Sequence, residues 1–258
     1  MDNRNLLLLT ATITPKSGVP NLKRTDPKQR LTDYIEALKF YLSHVNQSCD
    51  GIIFVENSNS DISQLQAIVH AADLTDQVEF IVFDGLDYPV QYDRGYGEFK
   101  LLNYGMTHSR LIQKSSNKKV VVWKITGRYI IQNIAHIIAN QPKKFDLFCN
   151  CRNYPKYWVD TYVMAWTPTG YETCLRDVYH RLKTNVIGIP QGIAAEELLR
   201  SWLEQKFIRE NAQLVRRFHI PPEVGGIRGA DNKGYSTDNY WKYKIRYNIS
   251  KVFPWIWV

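Results

Sequence analysis

Apolar residues fall along the chain in two alternating kinds of run. The first kind is short and continuous: "NLLLLTATI" (5–13), "GIIFVENS" (51–58), "VEFIVFDG" (78–85) and "VVVWKIT" (120–126). Runs of this length, rich in β-branched and aromatic residues, predict buried strands. The second kind recurs every three to four residues. Leu31, Tyr34, Ile35, Leu38, Tyr41 and Leu42 fall on one helical face of 28–45, and 62–74 and 97–112 repeat the pattern. Asn59, Ser60 or Asp61 is positioned to cap the second of these helices. "YIIQNIAHIIANQ" (129–141) predicts a helix opening directly after the fourth strand. "FDLFCNC" (145–151) and "WVDTYVMAW" (158–166) predict further strands, and 191–205 a further amphipathic helix.

The first half therefore reads β-α-β-α-β-α-β. Continuous apolar strands alternating with amphipathic helices predict an α/β fold: a Rossmann-like, mostly parallel central sheet with helices on both faces. No internal repeat or low-complexity linker interrupts it. The expected organisation is a single domain over 1–215, in halves 1–128 and 129–215, with an irregular C-terminal extension over 216–258. In such sheets ligands bind beyond the carboxyl ends of the strands, so the residues just after each strand are the informative ones.

Composition narrows the function. No apolar run reaches the roughly 18 to 20 residues that span a bilayer. The leading "LLLLTATI" has no basic n-region or small-residue cleavage site, which predicts a first strand rather than an export signal. Cys49, Cys149, Cys151 and Cys174 include one C-x-C, matching neither redox nor zinc spacing, and read as free thiols of a reducing cytosol. A net charge of +8 points to anionic partners: nucleic acid, a membrane surface or phosphorylated small molecules. The basic residues are spread in short clusters rather than one tract. No G-x-G-x-x-G follows the first strand and no G-x-x-x-x-G-K-[ST] occurs, which argues against dinucleotide oxidoreductases and P-loop NTPases.

Four stretches then stand out: "TATITP" and "VENSNSD" after the first two strands, "RGYGEFKLLNYG" at the third helix, and "KITGR" closing the fourth strand. Together with the element order over roughly residues 5–210, they resemble the GT-A fold of nucleotide-sugar glycosyltransferases of the bacterial polysaccharide and lipopolysaccharide type. The resemblance implies a nucleotide-binding half over 1–128 and an acceptor half over 129–215. It implies nucleotide contacts from Thr10 and Thr12, from Glu56 and Asn57, and from Arg94 and Lys100. The plainer alternatives are strand threonines, a turn with a helix cap, and an ordinary loop-to-helix junction.

The fourth strand departs from the family. Where Asp-x-Asp would hold a divalent metal against the diphosphate, this chain has Lys124, Thr126, Gly127 and Arg128. No cofactor is firmly implied, and a divalent metal (Mn or Mg) lacks its usual ligands. A guanidinium can take over part of a metal's work by bidentate hydrogen bonding to the leaving diphosphate. Gly127 would permit an unusual backbone there. The plainer alternative is that Arg128 pairs with a loop carboxylate.

Inverting transfer also needs a carboxylate base. Glu196 and Glu197 open the late helix in a setting resembling the family's Gly-x-Glu-Asp, although acids in a first turn also simply complement the helix dipole. Asp160 is the second candidate, amid Tyr154, Tyr157, Trp158, Tyr162 and Trp166, aromatics of the kind that stack on sugars. Arg228 and Lys233 lie in a glycine-rich stretch (223–240) able to fold over donor phosphates. The tail "YWKYKIRYNISKVFPWIWV" mixes cations and rings as a membrane interface favours.

The expected partners are a nucleotide-sugar donor, a glycan or lipid-linked acceptor, and an anionic membrane surface, at the inner face of the plasma membrane. A catalytically inactive nucleotide- or partner-binding module and a basic nucleic-acid binder are the alternatives. The second lacks recognisable RNP, KH or helix-turn-helix patterns.

Overall fold

The computed structural model describes residues 3–114, 119–189, 192–210 and 212–234, with Ile245, Asn248 and Ile249 beyond them. Its axis is strand β1 (Arg4–Ala11). Leu7 and Leu9 enter one apolar layer, Leu6 and Leu8 the other, and all four are fully buried. A strand buried on both faces belongs at the centre of a sheet.

Helix α1 (Pro27–Leu42) starts where Asp26 accepts a hydrogen bond from Lys28 N and Pro27 occupies the first turn. Strand β2 (Gly51–Glu56), α2 (Ser63–Ala71), β3 (Val78–Val82), α3 (Asp93–His108), the short α4 (Arg110–Gln113) and β4 (Val120–Thr126) follow. The second part runs β5 (Ile130–Ile131), α5 (Ile134–Ala139), β6 (Leu147–Arg152), β7 (Trp158–Trp166), α6 (Pro168–Cys174), α7 (Ala195–Glu210), β8 (Leu214–Val215) and β9 (Val224–Gly225).

The seven-stranded sheet has the order β3-β2-β1-β4-β7-β6-β8. Strands β3, β2, β1 and β4 are parallel; β7 lies antiparallel to both β4 and β6, and β8 parallel to β6. Helices α1, α2 and α5 cover one face, and α3, α4, α6 and α7 the other. This is the α/β class with a mostly parallel sheet that the sequence predicts. The β4–β7 pairing joins strands from before and after residue 128 in one sheet.

The stretch after β4 differs from expectation. Ile130 and Ile131 pair with Gly225 and Val224 in a two-stranded ribbon, and the helix begins only at Ile134. The cause is Tyr41 on α1, whose hydroxyl donates to Tyr129 O (2.8 Å) and accepts from Ile131 N (2.9 Å), holding this backbone extended. The residues proposed as caps for α2 also act differently. Ile62 is the N-cap without a side-chain bond, and Asp61 instead accepts from Ser63 N and Oγ.

Residues 235–240 of the glycine-rich stretch, and the C-terminal tail apart from Ile245, Asn248 and Ile249, lie outside the described residues. No helix among the described residues is long and apolar enough to cross a membrane.

One contact fixes α6 on the sheet. Thr167 caps the helix by accepting from Gly170 N (3.0 Å), and a Cβ on Gly170 would overlap the carbonyl of Asp146. Gly170→Ala should destabilise the fold by about 2 to 3 kcal/mol, since backbone cannot yield as a flexible side chain does. Urea denaturation checks this, and an unchanged midpoint would refute it.

Candidate functional site

The sheet has its switch point between β1 and β4. From β1 the chain moves outward to β2 and β3, and β4 returns to the opposite side. At the carboxyl ends of these two strands Thr10 and Thr126 stand side by side in register. Gly127 N donates to Thr10 O (2.9 Å), and a Cβ on Gly127 would come within 2.7 Å of that oxygen. The glycine is therefore needed for close approach. It is not among the residues with positive φ, which corrects the expectation of an unusual backbone.

A cleft of ≈ 1440 Å³ opens on this edge. Thr10 and Thr126 line it from the strands, Arg94 and Glu98 from α3, Trp158, Asp160 and Tyr162 from β7, and Glu196 from the start of α7. Arg128 and the segment 217–230 line it from the remaining side.

The cleft contains a carboxylate that the sequence did not point to, Glu98 of α3. Lys124, the one cation within β4, is fully buried, and its ammonium lies 2.7 Å from Glu98 Oε1. The ammonium also donates to Thr126 Oγ1 (3.1 Å) and to Thr161 O. Glu98 Oε1 further accepts from Thr10 Oγ1 (2.9 Å) and Thr126 Oγ1 (3.0 Å). Burial alone would raise the Glu98 carboxyl, but Lys124 and these donors bring it below the ordinary glutamate value. Burial likewise lowers the Lys124 ammonium, and Glu98 opposes that shift. Lys124 thus does not line the cleft, as a ligand-binding role would require. It acts on the cleft through Glu98.

Arg128 does line the cleft. Its guanidinium is 7% exposed, donates to Ile227 O (3.0 Å) and sits 3.7 Å from Asp33 of α1. Asp33 is held more closely by Arg24, at 2.7 and 2.9 Å. Arg128 Nε is buried and has no hydrogen-bond partner among the described residues. Arg30 completes the cluster, donating to Thr12 O (2.7 Å), Arg24 O (3.0 Å) and the Tyr34 hydroxyl (3.2 Å). Burial, with Arg128 adding to it, lowers the Arg30 pKa.

Glu196 faces the cleft and its carboxyl is raised. Burial is the main cause; Glu98 and Asp93 add to it and Arg94 opposes it. Gly95 and Gly97 make this wall possible by admitting protein rather than ligand. A Cβ on Gly95 would overlap Ala195, and one on Gly97 the Tyr88 hydroxyl.

Other expected residues lie elsewhere. Glu56 is fully buried and its carboxylate is occupied by the turn, accepting from Ile13 N (3.0 Å), Ser58 N (3.0 Å), Ser60 N (3.1 Å) and Ser58 Oγ. Asn57 accepts from Thr12 Oγ1 (2.6 Å) and is 1% exposed, so neither residue faces the cleft. Thr12 lines the cleft while spending its hydroxyl on Asn57. Lys100 pairs with Asp87 outside the cleft.

Glu197 turns from the cleft to accept from Lys156 Nζ (3.0 Å) and Ala194 N (3.2 Å), as a first-turn acid does. Asp160 lines the cleft, but its oxygens accept from Asn150 (2.7 Å) and Arg152. Trp158 and Tyr162 remain beside it, whereas Trp166 is wholly in the core. Arg228 lines the cleft, paired with Asp231 at 2.7 Å. Lys233 does not line it.

A divalent cation does not fit the end of β4. An ammonium, a hydroxyl and a guanidinium stand where carboxylates would be needed. Among the described residues no group of three or more His, Cys, Asp or Glu side chains could hold a metal ion.

No protein-family model matches the sequence, and no curated protein matches it. Solved structures similar in fold include a protein of Desulfovibrio desulfuricans G20, provisionally assigned as a nucleotide-diphospho-sugar transferase. It is 13% identical with a TM-score of 0.46, covering 83% of this chain and 80% of that one. The glycosyltransferase GlyE of Streptococcus pneumoniae TIGR4 is 9% identical with a TM-score of 0.47, over 98% of this chain and 50% of that one. The inositol-1-phosphate CTP transferase of T. maritima is 13% identical with a TM-score of 0.42, over 96% of each chain. The first two are named as a sugar-nucleotide transferase and a glycosyltransferase and the third as a CTP transferase, and likeness at this level fixes neither reaction nor substrate.

The Lys124–Glu98 pair makes a stability prediction. Lys124→Met leaves a carboxylate without its cation and should cost about 3 kcal/mol, the low end for a broken buried pair because Glu98 is 21% exposed. Adding Glu98→Leu should restore at least half of the loss. Equal instability of the single and double variants in urea denaturation would show that the pair is not coupled.

Proposed function

We propose that this chain is a nucleotide-sugar-dependent glycosyltransferase of hexosyltransferase type. It passes a sugar to a glycan or lipid-linked acceptor in cell-surface polysaccharide synthesis, and Arg128 carries the charge of the leaving diphosphate in place of a metal. The observation that carries this reading is the buried Nε of Arg128, without a hydrogen-bond partner among the described residues, at the edge of the cleft and within a cluster of three arginines around one carboxylate. Such a cluster holds more positive charge than Asp33 neutralises, and an anion relieves it. The position beyond the carboxyl ends of parallel strands is where α/β sheets take their ligands.

In the transfer, the acceptor hydroxyl gives its proton to the Glu196 carboxylate, and its oxygen forms the new bond to the anomeric carbon. The bond from that carbon to the diphosphate breaks, and its electron pair leaves on the diphosphate, which Arg128 stabilises. Trp158 and Tyr162 offer ring faces to the acceptor sugar. The basic and aromatic tail supports a place at the inner face of the plasma membrane, where lipid-linked acceptors reside.

Thermal shifts with UDP, GDP, CMP and dTDP, each with and without Mn²⁺, test the donor half. One nucleotide should raise the melting temperature regardless of metal, and Arg128→Ala should abolish that shift while leaving Asp33 paired to Arg24. A shift that needs Mn²⁺ would overturn the arginine-for-metal reading. The transfer step predicts a pH dependence: kcat/KM should fall as pH drops through an apparent pKa above the ordinary glutamate value, because the base must be unprotonated. Glu196→Gln should lose about 100-fold or more in rate and remove that limb of the profile. An unchanged profile in the variant would place the base elsewhere.

A further inference from the structure

Glu98 is not accounted for by the transfer chemistry, yet it lines the cleft. Its hydrogen bonds are lopsided. Lys124 Nζ, Thr10 Oγ1 and Thr126 Oγ1 all reach Oε1. Oε2 has no hydrogen bond to any described residue, although the side chain is only 21% exposed and lines the cleft. Three donors from two strands fix the carboxylate rigidly, and a buried ammonium keeps it charged. A half-buried carboxylate oxygen left open on that scale is a strong acceptor already oriented for a donor.

The ligand groups able to meet it are hydrogen-bond donors, which a nucleotide-sugar carries mostly as sugar hydroxyls and otherwise as the N–H groups of its base. A phosphate would be repelled, and a carbonyl oxygen would present a lone pair to a lone pair. From these contacts we propose that Glu98 Oε2 accepts a hydrogen bond from a sugar hydroxyl of the bound nucleotide-sugar, either of its pentose or of the transferred sugar, and so selects ligands that carry that hydroxyl. This rests on the nucleotide-sugar reading above. It makes Glu98 a binding and specificity residue, and Lys124, Thr10 and Thr126 the residues that position it. The carboxyl is held below its ordinary value, chiefly against the effect of burial, so it is an acceptor throughout the neutral range.

Calorimetric titration of the wild-type protein and of Glu98→Gln tests the proposal. The probes are the nucleoside diphosphate giving the largest thermal shift, its 2′-deoxy and 3′-deoxy forms, and the matching nucleoside-diphosphate hexose with its monodeoxy analogues. Removing the contacted hydroxyl should weaken binding to the wild-type protein about tenfold or more, as for a hydrogen bond to a charged group. Glu98→Gln should bind the full ligand more weakly by a similar factor and should no longer distinguish it from that deoxy form. The two losses then do not add.

The pentose arm and the hexose arm tell the two sources of the hydroxyl apart. If Glu98→Gln does not fold because Lys124 is left charged, Glu98→Gln/Lys124→Met removes the stranded ammonium and carries the same test. Discrimination that persists undiminished in the variant, or a wild-type protein indifferent to every deoxy analogue, overturns the assignment of Glu98 while leaving nucleotide binding intact. Absence of binding by any of these nucleotides overturns the nucleotide-sugar reading itself, and the proposal with it.

Discussion

The architecture depends on one buried charge. Strand β4 is apolar on both sides except for the terminal Thr126 and Lys124, which is wholly enclosed beside β1 and β7. An ammonium so placed must be paired, because its isolated burial costs several kcal/mol. Its partner has to come from above the sheet, and it comes from α3. To bring Glu98 down to the ends of β1 and β4, α3 must lie close against its surroundings. Its glycines allow this: Gly95 against Ala195, Gly97 against Tyr88, and Gly105 against Val55 of β2. Close seating of α3 also sets the start of α7 beside it, which is why Glu196 reaches the same cleft. A pairing requirement inside one strand thus determines where two cleft carboxylates stand.

The strands and the longer helices up to β4 were legible because each is marked within a single window, whereas the break at Ser109 that separates α4 from α3 was not. Continuous apolar runs mark strands and three-to-four spacing marks helices. The stretch after β4 was not legible. Its isoleucines suit a helix face or a strand equally well, and what decides is the Tyr41 hydroxyl, about ninety residues away, together with pairing to Val224 and Gly225. The strand-end rule located the cleft but did not identify which side chains enter it. Glu56 has the right residue type in the right loop, yet three donors of its own turn and Ile13 N consume it. Glu98 sits in the helical stretch "GEFKLLNYG" and looks like an ordinary polar helix position. The signal that could have found it was Lys124, since a cation inside an apolar strand requires a carboxylate nearby in space. Sequence alone does not say which one.

The same distinction applies to the glycines. Glycines such as Gly127, Gly95 and Gly97, at a strand end or a helix start, invite a reading of conformational freedom or of contact with a ligand. Their role is closeness instead. None has a positive φ, and in each case a Cβ would meet another part of the protein. A glycine at a strand end or helix start is therefore ambiguous between a turn, a ligand and a packing contact until its neighbours in space are known.

The cleft is also polarised by the way the sheet is covered. Arg24, Arg30 and Arg128 gather around Asp33 on the face covered by α1. Glu98 and Glu196 come from α3 and α7, which cover the opposite face. Between the two sets lie Thr10 and Thr126, at the ends of the central strands. A group that develops negative charge is favoured on the α1 side, and a group that must give up a proton is favoured on the α3 and α7 side. Under the proposed reaction, taken as an inverting transfer, both are needed, on opposite sides of the reacting carbon. No single residue creates this separation. It follows from right-handed βα connections that place α1 and α3 on different faces of one parallel sheet, so the chain's topology arranges the field before any ligand enters.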